Sequence, residues 1–171
     1  MEQRNISIVL IGMMGTGKST AGRWIAEQLG YEFVDLDHEI EVAAGKRIPD
    51  LFAEDGEPAF RDLESAVLAK VLSCSKRVIA TGGGAVLSES NCELMKRQGW
   101  VAALTAGAES IVERVREDQG RPLLAGGDLE LKVRTILEER KDCYRFADVT
   151  VDTTGISAEE AGRQILMHYR V

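Results

Sequence analysis

The chain is short of the residues that metal and nucleophile chemistry draw on. It has three cysteines, Cys74, Cys92 and Cys143, odd in number and widely spaced, with no C-x-x-C pair. That pattern argues against a disulfide framework and against a zinc site. Only two histidines, His38 and His168, are present, so a histidine-activated nucleophile has little to draw on. No apolar run reaches the roughly 18 to 20 residues that span a bilayer. Met1 to Asn5 leads straight into a strand-like run, with no signal-peptide core or cleavage site, so a cytoplasmic protein is expected. Positive charge is in the minority, with 21 basic against 28 acidic residues and a net charge of -7. That balance disfavours non-specific binding to nucleic acid or an anionic membrane. Neither partner is expected, and nothing in the sequence demands more than a monomer.

What is present suits an ordinary enzyme core. The 171 residues are 44% hydrophobic and 29% charged, enough for a single domain spanning 1–171 around one sizeable core. Of the 21 basic residues, 14 are arginine and 7 lysine. That bias fits bidentate anion recognition and fits surface ion pairs equally well.

Strand and helix signals alternate along the chain. Ile6 to Ile11, Phe33 to Leu36, Arg77 to Thr81, Trp100 to Leu104 and Val149 to Val151 read as short buried strands. Helical spacing predicts Ser19 to Leu29, Asp37 to Ala44, Ile48 to Glu54, Pro58 to Ser73, Glu89 to Gln98, Ala108 to Glu117 and Leu129 to Arg145. Ser157-Ala158-Glu159-Glu160 predicts a capping box opening a last helix. Residues 118–128, with Gly120, Pro122, Gly126 and Gly127, read as a mobile loop. Such alternation predicts an α/β fold with a mainly parallel sheet covered on both faces, and ligands outside the carboxyl ends of its strands.

Three predicted strand ends carry unusual residues. Gly12-Met13-Met14-Gly15-Thr16-Gly17-Lys18-Ser19 fits G-x-x-x-x-G-K-[ST], after a strand and before a helix. Its glycines let successive N–H groups turn toward phosphate oxygens, and the helix N-terminus adds positive charge. Lys18 can neutralise the terminal phosphates, and the Ser19 hydroxyl suits Mg²⁺. Asp35 and Asp37 follow the second strand, where alternation would put both on one side. One carboxylate near a metal and one near an acceptor hydroxyl suits phosphoryl transfer. A helix cap at Asp37 and a solvated loop carboxylate at Asp35 are the plainer readings. Gly82-Gly83-Gly84 suggests close backbone approach to a ligand, or a tight turn. Arg61, Arg121 and Arg140 could grip a small anion or cover a transferring phosphate, and each singly could be a surface ion pair.

Taken in order, these pieces resemble the shikimate kinases. The likeness runs over essentially the whole chain: Gly12 to Thr20, Asp35-Leu36-Asp37, Phe60-Arg61-Asp62-Leu63-Glu64, Gly82-Gly83-Gly84-Ala85-Val86, Arg121-Pro122-Leu123-Leu124, and Arg140 with Tyr144-Arg145. It implies a three-layer P-loop kinase fold with five parallel strands in the order 2-3-1-4-5 and a mobile lid over about 118–128. It also implies ATP-dependent phosphorylation of the shikimate 3-hydroxyl in aromatic amino-acid biosynthesis. Gly12 to Thr20 would hold ATP, with Ser19 and Asp35 serving Mg²⁺. Lys18, Asp37 and Arg121 would be catalytic, Asp37 meeting the shikimate hydroxyls and Arg121 coming down with the lid. An acceptor-binding segment would cover about 37–64. Arg61 and Arg140 would grip the carboxylate, and Gly82, Gly83 and Gly84 would line that site. Arg114, with Arg116 an equally placed neighbour, matches the position that packs against adenine. The turn after the fifth strand, Asp152-Thr153-Thr154-Gly155, would bind nucleotide and departs most freely from the family's pattern. A gluconate kinase on the same scaffold and a non-catalytic nucleotide sensor are the alternatives. The first has no need of two carboxylate-gripping arginines here, and the second usually carries a fused DNA-binding segment.

Overall fold

Alternate residues of each central strand fill opposite sides of one sheet, and that decides the layering. The computed structural model describes residues 5–116 and 127–169. Strands β1 (Ser7–Ile11), β2 (Glu32–Asp35), β3 (Arg77–Ala80), β4 (Gly99–Thr105) and β5 (Val149–Asp152) run parallel in the order β2-β3-β1-β4-β5. This is the strand order that the resemblance implied. All five residues of β1 are buried, as a strand covered on both faces requires. Val9 lies beside Ile79 on one side and Val101 on the other.

The helices are α1 (Lys18–Leu29), α2 (Leu36–Ala44), α3 (Ile48–Leu72), α4 (Glu89–Gln98), α5 (Ala108–Val115), α6 (Leu129–Arg140) and α7 (Ala158–Tyr169), with a 3₁₀ turn at Ala85–Leu87. Val9, Ile11, Ile79 and Val101 pack against Leu68 of α3 and Met95 of α4. Ile8, Leu10, Val78 and Ala102 pack against Ile25 of α1 and Ile165 of α7. A third cluster joins Met13 and Met14 to Ile111 and Val115 of α5 and Val133 of α6. Each fully buried aliphatic side chain contributes about 1.5–3 kcal/mol, so the two faces fix the sheet and the third cluster anchors the loop after β1. Among the described residues, no helix is long and apolar enough to cross a membrane.

Several boundaries differ from those expected. The second strand ends at Asp35 and α2 begins at Leu36, so Asp35 and Asp37 do not share a strand and strand alternation does not relate them. The cap is Asp35, not Asp37: its Oδ1 accepts from the N–H groups of Asp37 at 3.0 Å and His38 at 3.4 Å. The two helices expected over 48–54 and 58–73 form one long element broken at Gly56, whose φ of 85° and ψ of 169° are non-helical. Helix α6 stops at Arg140 instead of Arg145, and residues 141–146 form turns closed by bonds such as Cys143 N–H to Arg140 O at 2.9 Å. Only half of the capping box forms. Ser157 Oγ accepts from Glu160 N–H at 3.1 Å, while the Glu160 carboxylate accepts from Arg163 and Gln164. Of the expected loop 118–128, only Gly127 and Asp128 are described, and Asp128 caps α6 through the Leu131 N–H. Arg121 lies outside the described residues.

Candidate active site

The loop between β1 and α1 is shaped by what it cannot avoid. Gly12 has φ of 144°, and a Cβ there would run into the Leu104 carbonyl of β4, so only glycine lets the chain turn under that strand. Thr16 donates to the Met13 carbonyl at 2.7 Å inside the curl. The Lys18 ammonium reaches back across it to the carbonyls of Gly12 at 2.7 Å and Met13 at 2.9 Å. Gly17, at φ 91°, precedes α1, and among the described residues no side chain caps that helix. Its first-turn N–H groups therefore lack a side-chain acceptor where Gly15, Gly17 and Ser19 line a cleft of about 540 Å³.

The same cleft is lined by Asp35 and Asp37. They reach it from the end of β2 and the first turn of α2 rather than by strand alternation. While Asp35 Oδ1 caps α2, its Oδ2 lies 3.5 Å from the Ser19 hydroxyl. Among the described residues, no group of three or more His, Cys, Asp and Glu side chains could hold a metal by itself.

Past β3, the triple glycine brings four charged side chains together. Arg61 occupies the space where a Gly84 Cβ would stand. A Cβ on Gly82 would meet Asp37 Oδ1 at 3.0 Å and Glu64 Oε2 at 3.2 Å, and one on Gly83 would meet Arg140 Nη1 at 3.5 Å. Tyr144 donates to the Gly83 carbonyl at 3.0 Å. Arg61 donates to Glu64 at 3.0 Å and Glu57 at 3.3 Å, three and four residues away on α3. Glu64 is buried, which raises its carboxyl above the usual range, with Arg61 pulling it back. Burial likewise raises the Tyr144 phenol, against the pull of Arg140. Among the described residues, three buried polar atoms here have no partner: Arg61 Nε, Glu64 Oε2 and Arg140 Nη1. Buried charged groups rarely go unpaired, so this corner is built for something polar. Arg61 and Arg140 abut Gly84 and Gly83 and are not among the walls of the large cleft, which ends at Gly82 and Gly83.

A second hollow of about 220 Å³ is lined by Thr16, Thr20, Arg114, Thr153, Ile156 and Ala158. Arg114 borders both spaces. Its guanidinium donates to the Gly15 carbonyl at 2.9 Å and to the Thr153 carbonyl at 3.0 Å. Thr153 is buried, its hydroxyl 2.9 Å from the Thr16 carbonyl and 3.0 Å from that of Thr105. So of the two neighbouring arginines, Arg114 ties the phosphate loop to the turn after β5.

The shikimate kinase family model matches residues 14–170. The chain belongs to the shikimate kinase family. It is 49% identical to the shikimate kinase of Gloeobacter violaceus over 154 residues, 90% of this chain and 86% of that one. A shikimate kinase from Acinetobacter baumannii, solved in complex with shikimate, superposes with a TM-score of 0.93 at 40% identity, covering 96% of this chain and 93% of that one. A gluconokinase from Sinorhizobium meliloti, at 21% identity, TM-score 0.62 and coverage of 98% and 93%, shares the fold alone.

In this shikimate kinase relative, sequence reasoning gave no individual role to Glu64, Tyr144 or Arg47, and singled out no residue of the nucleotide-binding turn that contains Thr153. Glu64 was findable, because it stands one helical turn after Arg61. Tyr144 was not, because a continuous helix was expected where the chain makes turns. Thr153 carries no local signal, since its partners lie 48 and 137 residues away.

Proposed function

We propose that this chain transfers the γ-phosphoryl group of ATP to the 3-hydroxyl of shikimate, giving 3-phosphoshikimate and ADP. The observation that carries the reading is the corner at Gly82 to Gly84. Two guanidinium groups and a buried carboxylate there have polar atoms without partners among the described residues, next to Asp37 and beside the phosphate loop. A planar carboxylate is the natural complement of a guanidinium fork.

The loop Gly12 to Thr20 holds the triphosphate, and Lys18 gives up its loop carbonyls for phosphate oxygens. Arg61 and Arg140 clamp the shikimate carboxylate, with Tyr144 and Glu64 positioning the clamp. Asp37 orients the 3-hydroxyl toward the terminal phosphorus and accepts its proton. The new O–P bond forms as the bond from that phosphorus to the β–γ bridging oxygen breaks, and the electron pair leaves with ADP. In so loose a transition state, positioning and charge compensation supply most of the acceleration. Ser19 and Asp35 offer hard oxygen donors 3.5 Å apart at an open cleft. That fits Mg²⁺, which keeps several waters and shares phosphate oxygens. Bound there, Mg²⁺ would neutralise phosphate charge. Arg114 and the hollow beside Thr153 take the adenine. Arg121 compensates charge from the lid. We place the enzyme in the cytoplasm, as a monomer and a single domain, in aromatic amino-acid biosynthesis, with no nucleic-acid or membrane partner.

Calorimetric titration tests this. Shikimate should bind saturably and gluconate should not, and Arg61→Ala or Arg140→Ala should weaken shikimate by about thirtyfold or more. Equal binding of both acids, or an unchanged shikimate affinity in both variants, would remove the acceptor from this corner.

A further inference from the structure

Arg47 stands at a position where helix physics favours other residues. It immediately precedes α3, with extended backbone at φ -73° and ψ 152° and no side-chain bond to the first turn. Ser, Thr, Asp and Asn stabilise such a position by accepting from free N–H groups, whereas a positive charge opposes the helix dipole. Helix stability therefore does not explain this residue.

The backbone around Arg47 is nonetheless tied down. Glu41 accepts from the Ile48 N–H at 2.9 Å, and the Arg47 carbonyl accepts from the Leu51 N–H at 3.0 Å. Neighbouring Lys46 is committed to Glu54 at 2.8 Å and Asp55 at 2.5 Å. Arg47 is exposed and lines the large cleft with Lys18, Asp37 and Gly83, and its side chain has no hydrogen bond or ion pair among the described residues. The other cations on that wall are engaged. Lys18 reaches the Gly12 and Met13 carbonyls, and Arg114 those of Gly15 and Thr153. Arg47 is carried by the connection between α2, which bears Asp37, and α3, which bears Arg61. The elements that hold the acceptor thus also present this guanidinium.

We infer that Arg47 is a specificity-determining contact for the phosphorylated acceptor, binding its phosphate group once that group has left the nucleotide. The inference rests on the phosphotransfer reading above. After transfer, Lys18 belongs to the loop that holds ADP, while the product carries a new phosphate monoester. A guanidinium on the acceptor side matches such a group with two parallel hydrogen bonds.

The test is calorimetric titration of shikimate and of 3-phosphoshikimate, separately, into the ADP-bound protein. Arg47→Ala and Arg47→Ser should each weaken 3-phosphoshikimate about tenfold while leaving shikimate within about twofold, and Arg47→Lys should recover part of the loss. The serine variant should melt at or above the wild-type temperature, because serine caps the helix. Unchanged affinity for 3-phosphoshikimate in Arg47→Ala would overturn the inference. So would an equal loss for both acids, which would assign Arg47 to the general charge of the cleft. If the wild-type protein bound neither acid, the proposed function itself would fail, and this inference with it.

Discussion

Glu64 is a carboxylate only 1% exposed, bonded to Arg61 and in the fields of Arg140 and Asp37, with one oxygen unpartnered among the described residues. Burial raises its carboxyl above the ordinary 4.5, and the pull of Arg61 does not cancel that. A carboxyl raised by folding holds its proton more tightly in the native state. Its contribution to stability is complete below the unfolded value and is lost as pH rises through the folded one. Glu64→Gln keeps the shape and removes the titration. Its melting temperature should therefore gain on wild type as pH goes from about 5 to about 8, in thermal scans of both proteins. A constant or shrinking difference would mean that the ionised form is not penalised. The residue beside it gives a functional counterpart. A methyl on Gly84 would claim the place of the Arg61 guanidinium, the far end of a flexible side chain. Gly84→Ala should therefore fold normally and leave the KM for ATP near wild type, yet raise the KM for shikimate about tenfold or more. An unchanged shikimate KM in steady-state assays would show that Arg61 can work from elsewhere.

The break in α3 matters at the scale of the element. Gly56, at φ 85° and ψ 169°, lies five residues before Arg61 and sets the angle from which the second half of the helix approaches the triple glycine. That backbone region belongs essentially to glycine, and another residue there costs about 1–3 kcal/mol. Gly56→Ala should lower the melting temperature by several degrees, about 2–4 °C per kcal/mol in a chain of this size. A thermal scan matching wild type would mean that the kink relaxes freely. This break was legible in the sequence, because Gly56 and Pro58 interrupt the helical spacing between Glu54 and Pro58. The Asp35-Leu36-Asp37 segment was not. Period-two alternation is a valid guide only while the strand lasts, and Asp35 ends it by capping the next helix. The turns after Arg140 were missed for a related reason, since no glycine or proline marks the end of α6.

Across the whole molecule, the strands and the two core faces could be anticipated because they rest on repeated short-range signals, whereas the strand order followed from the family resemblance alone. The phosphate loop was also legible, its residues being consecutive and its glycines unavoidable. What could not be read locally is the meeting of distant segments. Gly82 joins Asp37 and Glu64, Gly83 joins Arg140 and Tyr144, and Thr153, just after β5, joins the phosphate loop to the end of β4. The sheet brings these together at the carboxyl ends of its strands, where parallel α/β folds bind their ligands. Asp37 belongs to this scale because it faces both the triple-glycine corner and the cleft beside the phosphate loop. Asp37→Asn should retain nucleotide binding, measured by titration, and lose phosphoryl transfer by about 10² or more. Loss of nucleotide binding would instead mark a structural role. The most direct measurement is shikimate-dependent ADP release by the purified wild-type protein with ATP and Mg²⁺. Saturable release, with one ADP formed for each shikimate phosphorylated, is the predicted result. A folded protein that consumes no nucleotide when shikimate is added would contradict the account.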